Sequence, residues 1–220
     1  MLSALKGLAT VRGRKMVEAS TGMLLLVFCV EHVLGNSLLL LSDPAPYRWF
    51  TETMGHALAI RIAEVALFAL FALHIGLGLY MRRQHRRFMQ QHPTKRPQQS
   101  VSTHLVGWTG IVILIFLVVH LDRFFIPNRF AAEGAPADLY KMAHEAFASP
   151  WYTLFYVVCM VALASHLHHG IRSAFFSFRF IPPHMVSRVR TSVSRIGLIT
   201  PLALAYIAVH IHVVQLLKAP

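Results

Sequence analysis

Acidic residues are scarce in this chain: nine Asp and Glu among 220 residues, against 21 Lys and Arg. Charged residues of either sign make up only 14% of the sequence, where soluble domains run near a quarter. An ordinary soluble domain is thereby excluded. Cysteine is almost absent as well, and Cys29 and Cys159 fall inside apolar runs with neither a CxxC nor a CxxCH pattern. Cysteine-ligated clusters and covalent haem attachment are excluded on that ground, and both thiols read as core residues. What the chain has in quantity is apolar surface, at 55% of residues and a mean hydropathy of +0.53, together with 14 histidines.

Five apolar runs are long enough to cross a bilayer, near residues 16–41, 57–81, 104–125, 150–176 and 196–217. A spanning segment must satisfy its backbone hydrogen bonds internally, and none of the five shows the two-residue alternation of a barrel strand. The expected fold is an all-α integral membrane domain of five helices over residues 1–220. Pro201 should at most kink the fifth. The first run follows a basic stretch but is too long for a signal peptide and has no small-residue cleavage pattern after it.

Basic residues sort by side. Lys6, Arg12, Arg14 and Lys15 precede the first segment; Arg82, Arg83, Arg86, Arg87, Lys95 and Arg96 follow the second; Arg172, Arg179, Arg188, Arg190 and Arg195 lie between the fourth and fifth. Most of the acids gather in the other connections, at Asp43, Glu52, Asp122, Glu133, Asp138 and Glu145; Glu18 lies on the basic side, and Glu31 and Glu64 lie at membrane depth. The positive-inside rule places the N-terminus in the cytoplasm and the C-terminus outside. The net charge of +12 is then a topological rim that also suits anionic lipid or a cytoplasmic partner. Nucleic acid is not an expected partner.

An internal repeat carries histidines. The first segment reads Thr21-Gly22, nine further residues, then His32; the third reads Thr109-Gly110, nine residues, then His120. The second has His74 with Gly78 four residues on, and the fourth has His166 with Gly170 four residues on. Eleven residues at about 100° each return to within about 20° of the starting face, and four advance by about 40°. Each Thr-Gly pair therefore shares a face with its histidine, and each following glycine leaves room for a bulky planar group one turn on.

At about 1.5 Å per residue, His32 and His120 lie roughly 24 Å in from the cytoplasmic ends, and His74 and His166 roughly 10–15 Å in. Two layers result, each with one histidine from either half of the repeat. Ionisable groups at that depth are costly and functional by default. Paired neutral imidazoles without a neighbouring acid or thiolate suit six-coordinate haem iron, whereas a structural zinc wants four ligands. Two bis-histidine b haems stacked across the bilayer are expected.

At these residues the chain resembles the di-haem cytochrome b membrane subunit of succinate:quinone oxidoreductases, the succinate dehydrogenase and fumarate reductase family. The resemblance covers nearly the whole chain. It rests on the five-helix order, histidines on the first four helices, Glu31-His32-Val33-Leu34-Gly35-Asn36, and His166-Leu167-His168-His169-Gly170. It implies a distal haem on His32 and His120 and a proximal haem on His74 and His166, the same pairing as the depth estimate. It further implies a cytoplasmic flavoprotein with covalent FAD that interconverts succinate and fumarate, and an iron-sulfur subunit that passes electrons to this chain. The chain itself would anchor both in the cytoplasmic membrane, bind menaquinone or ubiquinone, and perform no dicarboxylate chemistry.

Other residues follow with less support from spacing. His168 points about 200° from His166 and His169 about 60°, so the His-x3-Gly match selects His166 and leaves His169 to a propionate. Haem propionates need cationic or hydroxyl partners, for which Arg14, Lys15, Ser20, Arg82 and Arg172 are in reach of the cytoplasmic interface. His210 and His212 lie near the distal layer outside the repeat. Quinone chemistry needs a proton acceptor; some di-haem fumarate reductases use a glutamate in the connection after the first helix, and Glu52 occupies that region here. Those reductases also carry a glutamate two residues before the fourth-helix ligand, where this chain has Ala164. Two other readings are a di-haem b subunit of a hydrogenase-type or formate-dehydrogenase-type enzyme, and a haem-free, histidine-lined transporter.

Overall fold

A computed structural model describes residues 10–92, 101–130, 137–178 and 182–218. Among them every regular element is helical: α1 (Val11–Asn36), α2 (Ala45–His56), α3 (Leu58–Gln91), α4 (Val101–His120), α5 (Ile126–Arg129), α6 (Leu139–Ala148), α7 (Pro150–Ser177) and α8 (Pro183–Lys218). A 3-10 turn at Ser37–Leu40 extends α1, and a π-helical turn at Leu121–Phe125 joins α4 to α5. Five helices are long and apolar enough to cross a membrane: Val11–Leu40, Leu58–Gln91, Leu105–Arg129, Pro150–Ser177 and His184–Lys218. Lys6, Lys95, Arg96, Glu133 and Arg179 lie outside the described residues.

The second and fifth spans are longer than the apolar runs that announced them. Hydropathy marks the stretch that lipid can cover, whereas a helix ends where its backbone finds a cap or a breaker. Past Met81 the sequence is mostly Arg, Gln and His with no Gly or Pro before Pro93, so α3 continues as a largely polar helix to Gln91. The fifth helix begins at Pro183, a residue suited to a first turn. Pro201 lies inside α8 and is fully buried.

Packing is strongest between α7 and α8, and α7 also contacts α1 and α4. Small residues permit it: Ala208 is buried in the α7/α8 seam, and Gly197 lies against the Ile171 side chain so closely that any Cβ would collide. A core of Tyr156, Cys159, Met160, Leu204, Ile207 and Ile211 fills the end toward α2 and α6. A smaller cluster of Leu26, Ile171 and Phe175 fills the basic end. The second span stands apart, with no buried residue and with α1 and α2 as its main neighbours.

The two short helices were not visible as spans. Each is only 10 to 12 residues long, and both sit at the acid-bearing end. Arg48 of α2 donates to Asp138 at 2.6 and 3.1 Å, and Asp138 caps α6 by accepting from the Lys141 amide at 3.2 Å. His212 donates from Nδ1 to the Phe147 carbonyl at 2.8 Å, which ties α6 to the end of α8.

Candidate functional site

A cavity of about 1370 Å³ runs along the bundle between α1, α3, α4 and α7 and is lined by all four repeat histidines. That exceeds the usual range of about 300–1,000 Å³ for a single small-molecule pocket. His32 on α1 faces His120 at the end of α4 with ring centroids 5.8 Å apart; His74 on α3 faces His166 on α7 at 6.3 Å. The ring planes cross at 79° in both pairs. Each pair joins one histidine from either half of the repeat, as the depth estimate anticipated.

Local packing explains how each ring is aimed. The His32 ring sits beside Phe28, and the His120 ring lies between Phe116 and Phe124. His120 is the last α-helical residue before the π-helical turn, and such insertions re-aim side chains, often at functional sites. Asn36, one turn beyond His32, donates to the His32 carbonyl at 2.8 Å and accepts from the Tyr47 hydroxyl at 3.3 Å. Gly35 makes room for Phe50 of α2: a Cβ there would stand 2.7 Å from that ring. The Glu31–Asn36 stretch thus seats α2 over the His32 layer.

The Thr-Gly pairs act across helices. A Cβ on Gly22 would meet His74 Cε1 at 3.2 Å, and one on Gly110 would meet His166 Cε1 at 3.6 Å. The Thr21 hydroxyl lies 3.0 Å from His74 Nδ1 and donates to the Glu18 carbonyl at 3.0 Å. Each glycine of the two pairs therefore lies against the histidine of the next span, and Thr21 also reaches that histidine, in addition to sharing a face with the histidine on its own helix. Of the two later glycines, Gly78 faces Glu18, whose Oε1 would stand 3.0 Å from a Cβ, and Gly170 borders the cavity with nothing within 4 Å.

These residues fit a planar group that brings its own equatorial donors. Among the described residues no group of three or more His, Cys, Asp or Glu could hold a bare metal ion, so two imidazoles per layer are all the protein offers. Two metal–imidazole bonds of about 2 Å each, plus the distance from each nitrogen to its ring centre, call for a centroid separation of roughly 6 Å; the pairs show 5.8 and 6.3 Å. His120 Nδ1 and His166 Nδ1 are each buried without a hydrogen-bond partner, an arrangement that costs about 1–3 kcal/mol unless that nitrogen itself is engaged.

The remaining expected site residues divide. Lys15, Arg82 and His169 line the cavity, with Arg82 lying over the Trp108 ring at 5.5 Å and against Gly107. Arg14 instead lies over Tyr80 at 5.5 Å, and Ser20 and Arg172 are exposed and face away from the cavity. Arg86, which the sequence offered only as a rim residue, lines it, and so does His85. His210 packs beside Tyr206, and His212 holds α6, so neither borders the cavity. Glu52 is exposed on α2 and is not part of the lining, whereas Glu31 and Glu64 are; Glu64 accepts from Arg129 at 2.6 Å. Glu18, grouped by sequence with the rim, is drawn inward, with Oε1 3.7 Å from His74 Nδ1 and Oε2 buried and unpartnered.

Comparisons with protein-family models, with curated proteins and with solved structures return no match.

Proposed function

We propose that the chain is the di-haem cytochrome b membrane anchor of a succinate:quinone oxidoreductase. It would carry electrons between an iron-sulfur subunit, which with an FAD-bearing flavoprotein sits on the cytoplasmic side, and a membrane quinone. The observation that carries this reading is the pair of histidine couples, at 5.8 and 6.3 Å, opening on one cavity within a five-span bundle. His74 and His166 would hold the proximal b haem, His32 and His120 the distal one. The bound haems supply one-electron chemistry.

The protein's own work is placement. Opposed imidazoles on different helices fix each haem's position and plane, and apolar rings around His32 and His120 keep water from the distal iron site. Lys15, Arg82 and Arg86 offer positive charge and His169 a ring N–H at the basic end of the cavity, where propionates carry negative charge. At the other end, Glu64 and Glu31 line the cavity, so the proton-accepting role first expected of Glu52 falls to carboxylates a quinone in that cavity can reach. The basic rim orients the N-terminus toward the cytoplasm, and neighbouring anionic lipid or the peripheral subunits neutralise it.

Reduced-minus-oxidised spectra of the purified chain test this. Two b-type haems per chain are expected, with one lost in His74→Ala or His166→Ala and the other lost in His32→Ala or His120→Ala. A chain without b-type bands refutes the reading and leaves a histidine-lined transporter. Loss of both haems in equal measure from every single variant refutes the pairing. Copurification with a flavoprotein that oxidises succinate separates this reading from a hydrogenase-type or formate-dehydrogenase-type subunit.

A further inference from the structure

We infer that Thr21 is a positioning residue that fixes the tautomer of His74 and lowers the reduction potential of the group His74 ligates. The inference rests on the di-haem reading and deepens it. A threonine hydroxyl has one proton, and that of Thr21 is directed at the Glu18 carbonyl, 3.0 Å away on the preceding turn. Its oxygen, 3.0 Å from His74 Nδ1, is therefore left as an acceptor. The hydrogen bond requires the proton on His74 Nδ1, and Nε2 keeps its lone pair for a metal.

Gly22 braces the same ring from the same helix, since a Cβ there would already be 3.2 Å from His74 Cε1. The two neighbouring residues thus control both rotation and protonation of one imidazole: glycine by leaving only the width of the ring, threonine by anchoring one nitrogen. The second half of the repeat lacks the polar half of this device. Thr109 donates to the Leu105 and Val106 carbonyls at 3.0 and 3.1 Å, and Gly110 stands back from His166 by 3.6 Å. The two ligands of the proximal layer are therefore unequal, and the α1 side sets the firmer one.

An Nδ1–H bonded to an acceptor makes Nε2 a stronger donor, and a stronger donor favours ferric over ferrous iron. Two other acceptors of α1 face the same ring, the Glu18 carboxylate at 3.7 Å from Nδ1 and the Glu18 backbone carbonyl; neither can donate, so both favour the same tautomer, and the carboxylate is too distant to replace the hydroxyl without moving.

The test is a redox titration of the full-length chain in its membrane or intact complex, following each haem by its own band. Thr21→Val should keep two haems and raise the proximal potential by about a tenfold change in the ferric-to-ferrous ratio, which is about 59 mV for one electron, while the distal potential stays put. Thr21→Ser, which restores the oxygen, should titrate as the wild type. Where Thr21→Val fails to load the proximal haem, Thr21→Ala removes the hydroxyl without a second methyl and takes its place. Two bound haems with an unmoved or lowered proximal potential overturn the role of Thr21, as does Thr21→Ser behaving like Thr21→Val. Absence of haem from the wild type overturns the underlying reading instead.

Discussion

Substitution of the cavity glycines separates a purely structural role from one that accommodates a planar group. Replacing a helical glycine by alanine gains about 0.5–1 kcal/mol of backbone entropy where the new methyl fits. At Gly170 nothing stands within 4 Å, and at Gly110 the nearest atom is 3.6 Å away, an ordinary contact; both alanine variants should therefore be as stable as the parent or slightly more so. At Gly22 the methyl would sit 3.2 Å from His74 Cε1, so the ring must yield by a few tenths of an ångström and strain a hydrogen bond worth about 1 kcal/mol. Gly22→Ala should break even or lose, and Gly22→Leu should incur the overpacking penalty of about 1–3 kcal/mol. Thermal unfolding followed by detergent size-exclusion gives the ranking; a Gly22→Ala protein clearly more stable than Gly110→Ala refutes the steric reasoning. Haem content then gives a second axis. Gly170→Leu leaves the protein fold unopposed but places a branched side chain in the cavity, so it should lose the proximal haem while the helices melt as before. Full haem occupancy in Gly170→Leu refutes the assignment of a macrocycle to that face.

Two further outcomes follow from the acid-bearing end. The Asp138 carboxyl is held below its ordinary value, first by the hydrogen bond from Arg48. A depressed folded value means that its stabilisation is present above the unfolded value, near 3.9, and is lost as pH falls through the lower folded one. Asp138→Asn keeps the α6 cap but not the charge, so its melting midpoint should lie below the parent's at pH 7, and the gap should narrow as the pH falls below the unfolded value; a gap that does not narrow in acid counts against the ion pair. Asn36→Ala removes the bonds to the His32 carbonyl and to Tyr47, and the distal haem band should broaden or shift with the proximal one unchanged. Equal change in both bands would contradict the placement of Asn36 beside the His32 layer alone.

The five spans were legible because lipid demands long apolar runs, and the histidine couples because the repeat puts the same residues at the same depth in each half. Helix ends were not. Arg82 to Gln91 is too polar for lipid yet remains helical, since arginine and glutamine are good helix formers wherever water or headgroups solvate them. The short helices α2 and α6 escaped notice because amphipathic helices of that length depend on tertiary contacts such as Arg48 with Asp138. Interfacial site residues were the least legible: Ser20 and Lys15 lie within two turns of one another, yet only Lys15 borders the cavity. A reach estimate along the helix axis carries no information about azimuth, and that alone displaced Ser20 and Arg172. Glu52, expected in a loop, lies instead on the exposed face of a helix.

The repeat also explains why two opposed couples require four spans. Within one half, the Thr-Gly pair of the first helix lies against the histidine of the second, tightly for Gly22 with His74 and in ordinary contact for Gly110 with His166. A half thus builds an imidazole backed by glycine on its second helix and one packed against phenylalanine, His32 or His120, on its first. Neither half contains an opposed couple in a single layer, because its two histidines lie at different depths. Only when the halves face one another do His32 meet His120 and His74 meet His166. The contact that brings them together is not made by the histidine faces: it is made by α7 against α1, α4 and α8, with α8 supplying much of the buried core. The fifth span, which has no place in the repeat and no residue in either couple, is on this argument what holds the two halves in register.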